Sequence, residues 1–516
     1  MKKLIAILMT LCLLVGLFAT VSAVAEEPEK VYGGILHYAA GDPPRSVGYT
    51  PLCTPNSNWW VLNAAYESLL YYDVTGNLVP RLATSYETDP EEPSVTWHLR
   101  EGVKFTDGTD FNAEAVKVNI EEYQKNSRSE TSAIASVEVI DDYTVKMLLT
   151  YWDLSILDSV GYYVYYMSPT QLAADVDYFN DHTCGTGAFI LTDYTQNIIY
   201  KYTKNENYWR EGMPYLDGVE VHLYEEQMTK ASAFQAGELD IAHFSTYSEA
   251  FMLMNSMQPN WKLDVNESGI GLVMTGIIPN SAKEGPWQDY RVRQALCYAI
   301  DAKQIAETCT YGIAANTNQW AAPGSITYDE DLVTFSYNPE KAKELLAEAG
   351  YPDGFSTTIT TNAMNKEVFS ACAAYLEQVG IHCDINLVDN SENVSLYSTG
   401  EWEGLMGHFA SCGPDLGLYM GRHLSLDGSY YAKGIQHPDD AMELLTKIKT
   451  SKTREEKLGY EHEMQKLMYD AETGIALFGL PIYVEGHSIF SYDYVHDADA
   501  NILSETISFW QIWMDK

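Results

Sequence analysis

A chain of 516 residues, 46% of them hydrophobic, is too long for one ordinary core and predicts two or three domains. Its formal net charge of −40 leaves no basic footprint for nucleic acid and would repel anionic lipid headgroups. The 38 tyrosines are a heavy load, and a side chain with a flat apolar face and a hydroxyl suits an aromatic-lined cleft.

Taken in order, Lys2-Lys3, an apolar run from Leu4 to Val21 and the small-x-small site Ala23-Val24-Ala25 read as a secretory signal peptide ending before Glu26. Cys12 lies inside the apolar run, in the wrong context for a lipid-modified cysteine. The remaining seven cysteines are scattered without C-x-x-C spacing, which suggests buried thiols rather than a zinc site or a disulfide framework. A first strand is predicted over Val31–Tyr38, then a loop rich in Pro, Asn and Ser to Asn58, then a helix opening on Trp59-Trp60. Val95–Leu99 alternates β-branched, aromatic and polar residues as a half-buried strand does. Gly102 breaks it, a short strand Val103–Phe105 follows, Asp107-Gly108 turns the chain, and a helix starts near Asn112 with Glu114 in its first turn.

Strands are expected at Ser136–Ile140 and Thr144–Leu149, and Gly161–Met167 is strand-like. Gly185-Thr186-Gly187 lacks the third glycine of a dinucleotide fingerprint and precedes no helix, so it is not read as a phosphate site. Tyr208-Trp209 is expected to pack structurally. A helix at Thr229–Ala236 ends at Gly237, before Glu238-Leu239-Asp240. The helix capped by Asp289 carries Arg291 and Arg293, read as salt-bridge and packing residues. Asn338–Leu346 is an amphipathic helix that stops at Gly350. Gly404–Ala410 is a strand leading into the loop Ser411–Asp415, and helices follow at Asp440–Thr450 and Arg454–Asp470. His462 falls on a polar face of the last of these.

Several of these runs, in this order, resemble the family 5 extracellular solute-binding proteins, the receptors of peptide, nickel and related ABC importers. They are Gly33-Gly34-Ile35-Leu36, Leu78–Ala83, Leu99–Phe105 with Asp107-Gly108-Thr109, Gly185–Leu191 with Lys204–Trp209, Gly237–Asp240, Asp289–Asp301 and Gly474–Phe478. The resemblance covers about residues 31–516. It implies a two-lobed α/β fold of the type II periplasmic-binding-protein kind, with an extra small α/β subdomain in lobe one. The implied organisation is signal peptide 1–25, lobe one 26–50, subdomain 51–181, lobe one again 182–262, lobe two 263–483 and a return to lobe one over 484–516.

The resemblance also implies function: an exported, monomeric receptor that closes its lobes over a small solute and presents it to ABC permease subunits. In peptide receptors of the family, an aspartate just after the aromatic lobe-two strand pairs with the peptide's ammonium. Here that place falls on Ser411 or Cys412, and Asp415 is the acid near enough to substitute. The candidate ligand-binding residues are therefore Asp415, Ser411 and Cys412, with Trp402, Phe409, Trp59 and Trp60 as aromatic walls. A peptide is the first expectation, and a neutral oligosaccharide held on aromatic faces is the alternative. A secreted glycoside hydrolase is the further alternative, because paired carboxylates cannot be counted out among 72 acidic residues. No Gly-x-Ser-x-Gly elbow or His-Glu-x-x-His helix occurs. No cofactor is expected and, from the sequence spacing of His and Cys, no metal.

Overall fold

The alternating run at the centre of the subdomain forms strand Ser94–Leu99, with Val95, Trp97 and Leu99 turned into the core. Gly102 follows at φ 77°, a left-handed conformation that favours glycine. The short strand expected at Val103–Phe105 is reduced to a bridge between Lys104 and Asp110, flanked by Phe105 N–H to Thr109 O and Phe111 N–H to Val103 O. Asn112 caps helix Ala113–Lys125 by accepting from Ala115 N at 2.9 Å. The computed structural model describes residues 29–40, 43–53, 55–73, 76–244, 247–265, 273–411, 415–426, 428–485, 488–498 and 507–516. The expected leader lies outside them.

Three sheets organise the α/β chain. In lobe one, strand Ile35–Ala40 lies between Gly218–Leu223 and Ile241–Phe244, parallel to both, in a seven-stranded sheet. In lobe two, Val273–Pro279 lies between Leu405–Ser411 and Leu480–Val484 in a six-stranded sheet. The subdomain holds a four-stranded antiparallel sheet built from Ala83–Asp89, Ser94–Leu99, Thr144–Leu149 and Ile134–Asp141. The chain passes between the two large sheets twice, after strand Trp261–Val265 and again between Leu480–Val484 and Ser488–Tyr492.

Gly161–Met167 is not a strand. Isolated backbone bonds hold its first half and Tyr166, and side chains hold the rest: Asn119 brackets Met167 through both its N–H and its carbonyl, Tyr123 OH accepts from Tyr165 N, and Thr50 donates to Tyr165 O. A β-like composition here serves burial, with Val164, Tyr165, Tyr166 and Met167 all in the core.

The Gly-Thr-Gly and Tyr-Trp runs converge on one buried carboxylate. Glu67 accepts from Arg81 Nε (3.1 Å), Tyr208 OH (2.9 Å), Thr186 Oγ1 (2.9 Å) and Trp209 Nε1 (2.7 Å). Gly185 and Gly187 pass so close to the chain at Ala65 that a Cβ would stand 2.1 and 2.5 Å from its carbonyl group. The packing role expected for Tyr208 and Trp209 therefore holds. So does that of the paired arginines: Arg291 binds Asp289 at 2.6 Å, and buried Arg293 donates to the carbonyls of Trp287 and Ile475. The six described cysteines are free thiols.

Candidate functional site

The subdomain and lobe two face each other across a cleft of about 290 Å³. One wall is the segment from Tyr151 to Tyr163; the other is helix Leu416–His423 together with Ser429 and Lys449. Gly417 and Gly421 lie one turn apart on that helix. A Cβ at Gly417 would come within 2.6 Å of Ile448 and 3.0 Å of the Lys457 side chain, so glycine lets the helix settle onto its neighbours. Two cations, Arg422 and Lys449, line the cleft, and among the described residues neither has a carboxylate within ion-pair distance. Of the acids there, Glu130 is held by Arg128 and Asp153 accepts from Ser155 N.

Beside the cleft lies a buried charge network that joins the two walls. Asp415 caps the helix by accepting from Leu418 N at 2.7 Å and pairs with Lys457. Lys457 reaches across to Ser155 Oγ at 3.0 Å, and Arg454 meets Asp158 at 2.9 Å. Tyr72 OH donates to the same Asp158 oxygen, and Glu461 accepts from Gly417 N at 3.0 Å. Trp152 Nε1 to Ser451 O (2.8 Å) and Leu154 N to Lys449 O (3.2 Å) add neutral contacts across the boundary. Burial would raise the Asp415 carboxyl, but Lys457 beside it holds it well below the usual carboxylate range. Burial, with Asp415 adding to it, pushes Asp158 up to about 6 against the pull of Arg454. Glu461 is pushed up to about 8 by burial, Lys457 opposing and Asp415 adding, so at neutral pH it is mainly a neutral acid.

The residues singled out from sequence are spread around this region rather than gathered in it. Asp415 is buried one turn from the cleft-lining Gly417 and Leu418, its carboxylate already matched. Trp60 is enclosed in the lobe-one core, edge-on to Tyr200 at 4.9 Å. Trp402 is 1% exposed beneath Gly434, where a Cβ would strike its ring at 2.0 Å. Neither tryptophan offers an open face in this state. Phe409 is half-buried against Phe369, with ring centroids 5.5 Å apart. The side chains of Trp59 and Ser411, and all of Cys412, lie outside the described residues.

Sequence reasoning did not single out Arg422, Lys449, Tyr163 or the Lys457–Glu461 pair. The last had a signal of sorts, since an i,i+4 Lys–Glu spacing on helix Arg454–Tyr469 reads as a solvated pair, yet both are buried.

Two α/β lobes linked by two passages, with a cleft closed by the subdomain, define a two-lobed solute-binding protein. The chain belongs to the bacterial extracellular solute-binding proteins, family 5, whose model matches residues 77–429. It is 31% identical over 344 residues to the glutathione-binding protein GsiB of Shigella flexneri, a match covering 65% of this chain and 66% of that protein's length. HbpA2 of Haemophilus parasuis shares the fold at TM-score 0.80 and 20% identity, over 94% of this chain and all of that one. The periplasmic binding protein DppA of Helicobacter pylori, solved with the peptide STSA, does so at TM-score 0.73 and 22% identity, over 94% and 99%. Among the described residues no helix is long and apolar enough to cross a membrane.

Proposed function

We propose that this chain is the exported receptor of an ABC importer, its mature form beginning near Glu26, and that it carries a short peptide by closing the subdomain and lobe two over it. The observation that carries this reading is the cleft with Arg422 and Lys449 lacking carboxylate partners among the described residues, in a protein of net charge −40. Cations kept free amid so much acid suit an anionic group on the solute, such as a peptide's carboxylate. A relative named for glutathione, itself a tripeptide with two carboxylates, and a structural neighbour holding a peptide support the same class. Ligand would favour the closed state by touching both walls.

On this reading Asp415 acts at second hand. A peptide ammonium would have to replace Lys457 to reach it, so Asp415 fixes the helix that presents Arg422, and the aromatic side chains lining the cleft are Tyr151 and Tyr163 rather than Phe409. Isothermal titration of purified protein with short peptides, their C-terminally amidated forms and neutral oligosaccharides tests the proposal. Arg422 is exposed in this structure. Free peptides should bind, and if closure over the peptide buries its pairing with the carboxylate, amidation or Arg422→Ala should weaken binding by at least about 30-fold, the low end for truncating one partner of such a pair. Oligosaccharides should give no heat. Oligosaccharide binding without peptide binding, or an Arg422→Ala protein with unchanged peptide affinity, rejects this reading.

A further inference from the structure

In lobe one, strand Ile35–Ala40 runs parallel to Gly218–Leu223 with His37 opposite Glu220 and Ala39 opposite His222. Residues 220 and 222 share one face of their strand, and the register sets His37 on that same face. The result is a triangle of ligating atoms. His37 Nδ1 stands 3.2 Å from His222 Nε2 and 3.6 Å from Glu220 Oε2, and His222 Nε2 stands 3.8 Å from that oxygen. A zinc ion about 2.0–2.2 Å from each of two imidazole nitrogens and a carboxylate oxygen, in tetrahedral geometry, needs ligands roughly 3.3–3.5 Å apart. The observed triangle fits with shifts of a few tenths of an ångström.

We propose that His37, Glu220 and His222 bind a divalent first-row transition ion, zinc, through two imidazoles and one carboxylate. The side chains are 34%, 20% and 25% exposed, which anchors three ligands in the sheet and leaves the fourth position for water. Glu220 divides its two oxygens: Oε2 faces the histidines, and Oε1 faces Lys201 Nζ at 3.7 Å, which favours one-oxygen ligation. Asp240 pins the strand by accepting from His37 N at 2.8 Å, and is itself held by Tyr494 OH at 2.7 Å and Lys516 Nζ at 3.1 Å. None of these residues lines the cleft, so the site stands apart from solute binding. It is invisible to a search for local spacing because His37 and His222 meet only through strand register.

The test is a zinc titration of untagged, chelator-treated protein in competition with a chromophoric chelator, with cobalt as a spectroscopic stand-in. One equivalent should bind, and cobalt should give the intense visible absorption of a four-coordinate site. His37→Ala and His222→Ala should each weaken zinc by more than the roughly 10–100-fold typical of losing an outer-sphere partner, with solute affinity unchanged. Absence of stoichiometric binding, or binding that survives both substitutions, overturns the site. If either alanine variant folds poorly, the wild-type cobalt spectrum decides, and a weak six-coordinate spectrum overturns it equally.

Discussion

Glu67→Ala should destabilise the protein by about 3–5 kcal/mol, the range for removing one partner of a buried ion pair. Glu67 is fully buried and the Arg81 side chain is 7% exposed, so the guanidinium would keep its charge in the core without its counter-ion. Thr186, Tyr208 and Trp209 would lose their acceptor at the same moment, and an unsatisfied buried donor costs about 1–3 kcal/mol when nothing replaces the bond. These costs overlap, because a relaxed Arg81 can find carbonyls and the cavity can admit water, so they are not summed. Glu67→Gln keeps the shape and part of the acceptor set and should cost less. Glu67→Met combined with Arg81→Met should recover part of the alanine loss, since an apolar pair leaves no charge stranded. Urea unfolding followed by tryptophan fluorescence measures all three. A Glu67→Ala protein within about 1 kcal/mol of wild type would mean that the four hydrogen bonds are geometry without energy.

That cluster also explains what the sequence could and could not reveal. Gly185-Thr186-Gly187 and Tyr208-Trp209 stand out as motifs because two glycines must clear Ala65 and three donors must reach one carboxylate. Nothing local names Glu67 as the acceptor, since the bonds span up to 142 positions. Helix ends were legible for a similar reason: Asn112, Asp289 and Asn338 each accept a backbone N–H one turn in, and that chemistry is written in adjacent residues. Gly161–Met167 misleads because aromatic, β-branched residues favour burial as much as pairing, and here side chains of Asn119, Tyr123 and Thr50 supply the bonds a sheet would have given. The cleft was the least legible part. Its cations look like ordinary surface residues of helices, and only the approach of the subdomain makes Arg422 and Lys449 neighbours of Tyr163. Position after the strand marks Asp415 as a candidate, but Lys457, which already occupies its carboxylate, lies 42 residues further on.

Lys457→Met should cost about 3–5 kcal/mol at pH 7, because it strands the Asp415 carboxylate in a site where both side chains are 3% exposed or less. The pH dependence separates this cause from lost packing. Asp415 has a folded-state pKa depressed below its ordinary 3.8, so its pairing stabilises the fold above that value and is lost as pH falls through the depressed one. Without Lys457 the carboxyl pKa rises and the acid can take up a proton, so the variant's deficit should shrink as pH is lowered from 7 toward 4. Glu461 runs the other way. Raised from 4.5 to about 8, it favours the folded state below 4.5, and that advantage is lost as pH climbs through 8, by up to about 1.4 kcal/mol per unit. Asp158, raised to about 6, adds a slope of the same sign between 3.8 and 6. Glu461→Gln should therefore flatten the wild-type decline between pH 5 and 8 while leaving Lys457 and Asp415 paired. Because Lys457 also reaches Ser155 on the opposite wall, its loss should weaken solute binding too, and Ser155→Ala should reproduce that effect without the stability loss. Urea midpoints at pH 4.5, 7 and 8.5, with solute titrations at pH 7, measure each of these. A Lys457→Met deficit that grows toward acid pH would show that the buried pair is not what the lysine contributes.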